Sequence, residues 1–312
     1  VSVEGGKRAI IAALLANAGI AISKFVAFLV TGSSSMLAEA IHSVADTGNQ
    51  GLLLLGGRRA RREATERHPF GYGRDRYFYA FVVALVLFSI GSLFALYEGI
   101  DKLRHPHHLD TPAVALGVLG VAIVLEAFSF RTAYVESKKI KPAEVSWAGF
   151  IRHAKAPELP VVLLEDTAAL LGLLFAFFGV TMTVVTDEPR WDGVGTLAIA
   201  LLLAAVALIL AIEMKSLLIG ESASAVDVDA ICTALLDGPE VSRVIHLRTM
   251  HLGPEELLVG AKIAIEHSDT AEDIVRGIDA AEARVRRAVP IARVIYLEPD
   301  LDRGKRSAPA EE

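Results

Sequence analysis

One cysteine, Cys232, stands in 312 residues. That excludes both a disulfide framework and a thiolate metal cluster, and a lone thiol of this kind reads as a buried structural residue. No His-Glu-x-x-His occurs, which removes the metalloprotease built on that motif; no enzyme activity is expected. No repeat recurs at solenoid periods. The first apolar run begins after Lys7-Arg8 and is followed by no small-residue cleavage site, so it reads as a retained helix and not as a signal peptide. The net charge of −6 says little once the charges are located, because they are nearly missing from a series of long apolar runs.

Those runs are what the chain has in abundance. Hydrophobic residues make up 53% of it, and the runs are long enough to cross a hydrocarbon core of about 30 Å. Six spans are expected, at 9–31, 35–57, 78–100, 112–135, 159–185 and 193–218. The 2–3 loop carries Arg58, Arg59, Arg61, Arg62, Arg67, Arg74 and Arg76, and the 4–5 loop carries Lys138, Lys139, Lys141, Arg152 and Lys155. The opposite loops are uncharged (Thr31–Ser34) or acidic (Asp187–Asp192). By the positive-inside rule both termini and both basic loops are cytoplasmic. The expected location is a bacterial plasma (inner) membrane, crossed several times.

After Gly220-Glu221-Ser222 the pattern becomes that of a soluble domain. Val226–Leu236 has helical spacing, while Val241–Met250 and Glu256–Glu266 alternate like half-buried strands. Thr270-Ala271-Glu272-Asp273 resembles an N-cap with an acidic first turn; the helix it opens runs to about Ala288, and a last strand follows at Ala292–Leu297. The order αββαβ predicts a two-layer α+β domain with helices on one face of a sheet. The expected division is a six-helix all-α transmembrane domain over 1–220, a cytoplasmic domain over 221–300, and a disordered tail over 301–312.

Ionisable residues inside the spans are the chemical signal. His42 and Asp46 lie four apart in the second span, on one helix face and about 6 Å apart along the axis. An intramembrane ionisable pair is expensive and marks an ion or proton pathway. The two supply a nitrogen and an oxygen ligand, and a tetrahedral divalent ion needs about four. The fifth span is read as the one offering the remainder, Glu165 and Asp166; the two point about 100° apart on a helix, so at least one turns from lipid. The bland alternative is a hydrogen-bonded cluster tying spans two and five. Glu39 shares the face of His42 as a ligand, proton acceptor or cavity-lining group, and Lys24 pairs with a carboxylate or snorkels.

With six spans, an αββαβ tail and His42-x-x-x-Asp46 followed by acid on the fifth span, the chain resembles the cation diffusion facilitators, the proton-coupled zinc and manganese exporters. Gly32–Asp46, His68-Pro69-Phe70-Gly71-Tyr72-Gly73 and Leu247-Arg248-Thr249 carry the resemblance. The Leu163–Ala169 run, with Pro157–Pro160 before it, looks most like the branch containing an animal mitochondrial zinc transporter. The resemblance implies a homodimer in a lipid bilayer, a ferredoxin-like tail, and a transport site on His42, Asp46 and Asp166 that exchanges metal for protons. It implies no resident cofactor and no nucleic-acid partner. The chain departs from the zinc-exporting pattern at Val162, where a second histidine is usual. Either Glu165 turns inward to replace it, or three protein ligands are completed by water. Losing a nitrogen ligand widens the plausible cargo from Zn²⁺ towards Mn²⁺, Fe²⁺ or Co²⁺, with Cd²⁺ also open; zinc remains the first expectation.

The family's other metal positions are weaker here. His68 matches one ligand of a loop site, but Tyr72 occupies the second position. In the tail, Ile245, Lys262 and Tyr296 stand where ligating histidines are expected and Glu298 alone keeps an oxygen; His246, His251 and His267 read as surface residues, with a rearranged regulatory site as the alternative. His105-Pro106-His107-His108 reads as an exposed turn, and Trp147–His153 as a short interfacial helix at the cytoplasmic surface. Two classes compete: secondary export of a divalent cation, and a membrane-anchored metal sensor or scaffold that does not transport.

Overall fold

The computed structural model describes residues 34–106, 112–265 and 270–301, with 11, 14–15, 17–23, 25–26 and 29 before them. At 34–42, 45, 46, 153 and 301 it describes the backbone alone. The described residues form two compact units, one from 1–62 and 74–216, the other from 63–73 and 217–312.

The first unit is helical. Its elements are α1 (Ser34–Arg59), α2 (Asp75–Val86), a π-helical stretch Leu87–Leu93, α3 (Phe94–Arg104), α4 (Pro112–Ile140), α5 (Trp147–His153), α6 (Glu158–Thr186) and α7 (Arg190–Ile219). Among the described residues four helices are long and apolar enough to cross a membrane: Asp75–Arg104, α4, α6 and α7, each of 29 or 30 residues. At 1.5 Å per residue each is about 45 Å long, enough to cross a hydrocarbon core of about 30 Å and emerge on both sides. This is why the helices outrun the apolar runs that announce them. α1, at 26 residues, is also long enough, and carries the polar face described below. Of the first expected span, the described positions are helical.

Small residues set the closest helix contacts, as they do where lipid leaves no hydrophobic drive between helices. A Cβ on Gly179 of α6 would lie 2.9 Å from the Trp191 carbonyl oxygen, and one on Gly195 of α7 would lie 2.9 Å from that of Phe175. The two helices therefore meet backbone to backbone beside their short connection, where Asp187 takes the left-handed conformation (φ 57°) that ends α6. The π-helical stretch packs Ser92 against α7, its hydroxyl donating to the Ala200 carbonyl at 3.0 Å. α5 is capped by Ser146, whose hydroxyl accepts from the Gly149 amide at 3.0 Å. Its Trp147 ring lies 4.9 Å from that of Tyr134, and its Phe150 is buried.

The second unit follows the order α8 (Ala225–Leu236), β1 (Arg243–Gly253), β2 (Glu256–Ile265), α9 (Ala271–Ala288), β3 (Ala292–Leu301). The sheet order is β1-β2-β3, antiparallel between the first two and parallel between the last two. Leu257, Val259, Ala261 and Ile263 alternate along β2 and bury one face against Ile231 and Leu235 of α8 and Ala281 and Val285 of α9. Both helices thus cover the same face. Thr270 and Asp273 form a full capping box at the start of α9. Glu63–Gly73 belongs to this unit. It turns at Gly71 (φ 76°), and at Gly73 a Cβ would come within 2.8 Å of the Leu252 carbonyl, so the loop backbone lies directly on the end of β1.

Candidate metal centre

At 100° per residue, Glu39, His42, Asp46, Asn49 and Gln50 fall within one stripe of α1 about 100° wide. The backbone of α1 is continuous through all five. The side chains of Glu39, His42 and Asp46 lie outside the described residues, as does Lys24. Those of Asn49 and Gln50 are described, and both are buried, at 1% and 0% exposure.

The carboxylates of α6 part company. Glu165, 4% exposed, is turned to α1: its Oε1 accepts from Asn49 Nδ2 at 2.8 Å and its Oε2 from Gln50 Nε2 at 2.9 Å. Asp166, 1% exposed, is turned to α4, where Ser129 Oγ donates to Oδ2 at 2.8 Å. The 100° step between consecutive helical residues produces this division. Val162 is fully buried and contributes packing alone. The structure therefore brings Glu165 to the helix that carries His42 and Asp46, and Asp166 to Ser129 of α4.

Each amide that binds Glu165 uses its NH₂ group, because a carboxylate is an acceptor only. Each carbonyl is left over. Asn49 Oδ1 and Gln50 Oε1 are buried with no hydrogen-bond partner among the described residues. An unmade buried hydrogen bond of this kind costs about 1–3 kcal/mol.

Sequence reading passed over four of these residues. Asn49 and Gln50 are neutral and do not stand out by charge. Glu126, buried in α4, is an ionisable residue inside a span and meets the criterion that selected Glu165. Ser129 follows it one helical turn later on the same face, with buried Ser137 beyond.

Elsewhere the ion pairs are structural. Arg76 at the start of α2 pairs with Glu158 at the start of α6. Lys102 of α3 bridges Glu98 at 3.2 Å and Asp192 of α7 at 3.0 Å. His105 Nδ1 pairs with Asp101 at 3.0 Å, while His107 and His108 lie outside the described residues. His68 belongs to the second unit and is exposed; its ring lies 4.8 Å from that of Tyr72. In the tail, Lys262 pairs with Glu298 at 3.0 Å and Asp300 at 3.3 Å. Hydrogen bonds from its ammonium to those two carboxylates raise its pKa above the ordinary lysine value, so a fixed cation already holds this oxygen pair. His251 is buried, not a surface residue: β1 runs on to Gly253, and Nδ1 lies 3.3 Å from the Gly253 carbonyl oxygen. His267 lies outside the described residues. Among the described residues no group of three or more His, Cys, Asp or Glu side chains is placed to hold a metal ion.

Comparison with known proteins gives a consistent set of relatives. The family model of the cation efflux transmembrane domain matches residues 10–219. The chain is 30% identical over 254 residues to "Proton-coupled zinc antiporter SLC30A9, mitochondrial" of Mus musculus, covering 81% of this chain and 45% of that protein. It is 28% identical over 264 residues to "Metal tolerance protein C4" of Arabidopsis thaliana, covering 83% and 57%. It is 25% identical over 290 residues to "Magnetosome protein MamB" of Paramagnetospirillum magneticum, covering 91% and 90%. The chain spans about half the length of the mitochondrial proteins it matches.

Proposed function

The chain belongs to the cation efflux family, and from that premise we propose that it moves a divalent metal ion across a membrane in exchange for protons, with Zn²⁺ as the first cargo. The observation that carries this reading is the placement of Glu165. A buried carboxylate from one membrane helix meets the stripe of another that bears His42 and Asp46, and the amides around it are left with unanswered oxygens. An all-protein hydrogen-bonded tie would satisfy its own acceptors; among the described residues the carbonyls of Asn49 and Gln50 have no such partner.

In the proposed mechanism His42 supplies the nitrogen ligand and Asp46 and Glu165 the anionic oxygens. Glu165 takes the role that Val162 leaves vacant, and Asp166, which accepts from Ser129 of α4, is the further carboxylate of α6 offered to the ion. Imidazole exchanges protons near neutral pH, so a cation binding at His42 displaces a proton, and reprotonation from the far side helps expel the cation. Glu39 extends the same stripe by one turn as a proton acceptor. The reading includes six spans with both termini cytoplasmic in a bacterial plasma membrane, a ferredoxin-like tail, a homodimer, and a boundary between transport domain and tail near residue 220. The Lys262 pairing supports transport over metal sensing, because an ammonium holds the tail's oxygen ligands.

Purified protein in liposomes, with a zinc-sensitive dye inside and an imposed pH gradient, tests the proposal. Zinc uptake that follows the gradient's direction and collapses with an ionophore is the expected result. Liposomes no more permeable to zinc than protein-free ones contradict it.

A further inference from the structure

Positions 49 and 50 carry two amides in succession on a membrane helix, both fully enclosed, and both committed through nitrogen to the same carboxylate. With the NH₂ groups facing Glu165, the carbonyl oxygens Asn49 Oδ1 and Gln50 Oε1 are fixed by the planarity of the amide and look away from it, unpartnered among the described residues. Glu165 and these two carbonyls offer a donor set made of oxygen alone, carrying one formal negative charge. Carboxylate and carbonyl oxygens suit Mn²⁺ and similar hard cations, while soft ligands favour ions of the cadmium type.

We propose that Asn49 and Gln50 are specificity-determining residues, whose amides clamp Glu165 and turn two carbonyl oxygens to the transported ion, tilting the site towards oxygen-preferring divalent cations. This rests on the transport reading above and adds to it the basis of selectivity. The amides do two things together: their nitrogens fix the anion, and their oxygens grade the cargo. A hydrophobic residue at either position would deny both.

The test compares Mn²⁺ and Cd²⁺ transport rates in liposomes for the wild type and Gln50→Met. Methionine keeps length and volume but replaces the carbonyl oxygen with a soft thioether. The Mn²⁺/Cd²⁺ rate ratio is expected to fall at least tenfold. Gln50→Glu keeps an oxygen and adds charge, and is expected to move the ratio the opposite way; it answers the question alone should Gln50→Met not fold. A ratio unchanged in both variants, with the wild type transporting, overturns this inference and leaves the transport reading standing. A wild type that carries no divalent cation overturns both.

Discussion

Glu165→Gln separates a transport ligand from a structural tie. The carboxylate accepts two hydrogen bonds, at 2.8 Å from Asn49 and 2.9 Å from Gln50. Glutamine keeps one acceptor and presents an NH₂ group where the other stood. The facing amide then rotates and offers its unpartnered carbonyl, Asn49 Oδ1 or Gln50 Oε1, to the new donor. Two hydrogen bonds remain, and the rotated amide exchanges an unpartnered carbonyl for an unpartnered NH₂. Charge-assisted bonds become neutral ones, but a buried charge no longer has to be desolvated, and the net change is within about 1–2 kcal/mol. Transport fares differently. Removing a unit charge about 4 Å from a divalent cation forfeits about 8 kcal/mol of attraction at an effective dielectric of 20; half of that is already roughly a thousandfold in affinity. Thermal unfolding in detergent and zinc uptake in liposomes, measured on the same preparation, read the two quantities. Near-native melting with uptake lost is the expected pair. Uptake at the wild-type rate and affinity, with stability lowered by several kcal/mol, would show Glu165 to be a tie between helices and refute the reasoning.

Gly179→Ala places a methyl 2.9 Å from the Trp191 carbonyl, where backbone cannot yield. α6 and α7 should part at a cost of about 1–3 kcal/mol, seen as a lowered melting temperature; unchanged melting would contradict the close approach. Thr270→Ala removes the capping box of α9 at a cost of about 1 kcal/mol, and hydrogen exchange in the first turn should quicken while Thr270→Ser restores protection. The Cys232 thiol has its pKa raised, first by burial and then by the Asp229 charge. Less thiolate is present at neutral pH than in free cysteine, so maleimide labelling should be slow at pH 7 and gain only as the pH passes the ordinary thiol value. Labelling at pH 7 as fast as that of free cysteine would rule this out.

Four of the expected spans were legible because lipid imposes a simple rule: about 20 consecutive apolar residues for each crossing. The helix ends were less so, since Asp75–Tyr77 and Glu136–Ile140 continue helices past the apolar runs with polar residues. The π-helical stretch Leu87–Leu93, within which Ser92 donates to the Ala200 carbonyl, has no signature in composition. The tail's αββαβ order followed from a change in hydrophobic period and from the Thr270 cap, whereas the docking of Glu63–Gly73 on β1 and the burial of His251 depend on contacts far apart in the chain. At the site, charge made Glu165 and Asp166 conspicuous, but which of them binds Asn49 and Gln50 is a matter of helix rotation that spacing alone leaves open. Asn49 and Gln50 escaped notice because neutral amides are conspicuous only when buried. Glu126 carried the same signal as Glu165 and was overlooked between the flanking apolar residues Leu125 and Ala127.

The central claim, that a divalent cation crosses through this site in exchange for protons, is tested most directly by recording metal and proton fluxes together in liposomes containing the wild type or Asp46→Ala. The account predicts zinc entry matched by proton movement in the opposite direction for the wild type, and neither flux above background for Asp46→Ala in protein that still melts normally. Zinc entry at the wild-type rate in Asp46→Ala, or entry with no proton counterflow in the wild type, would contradict it.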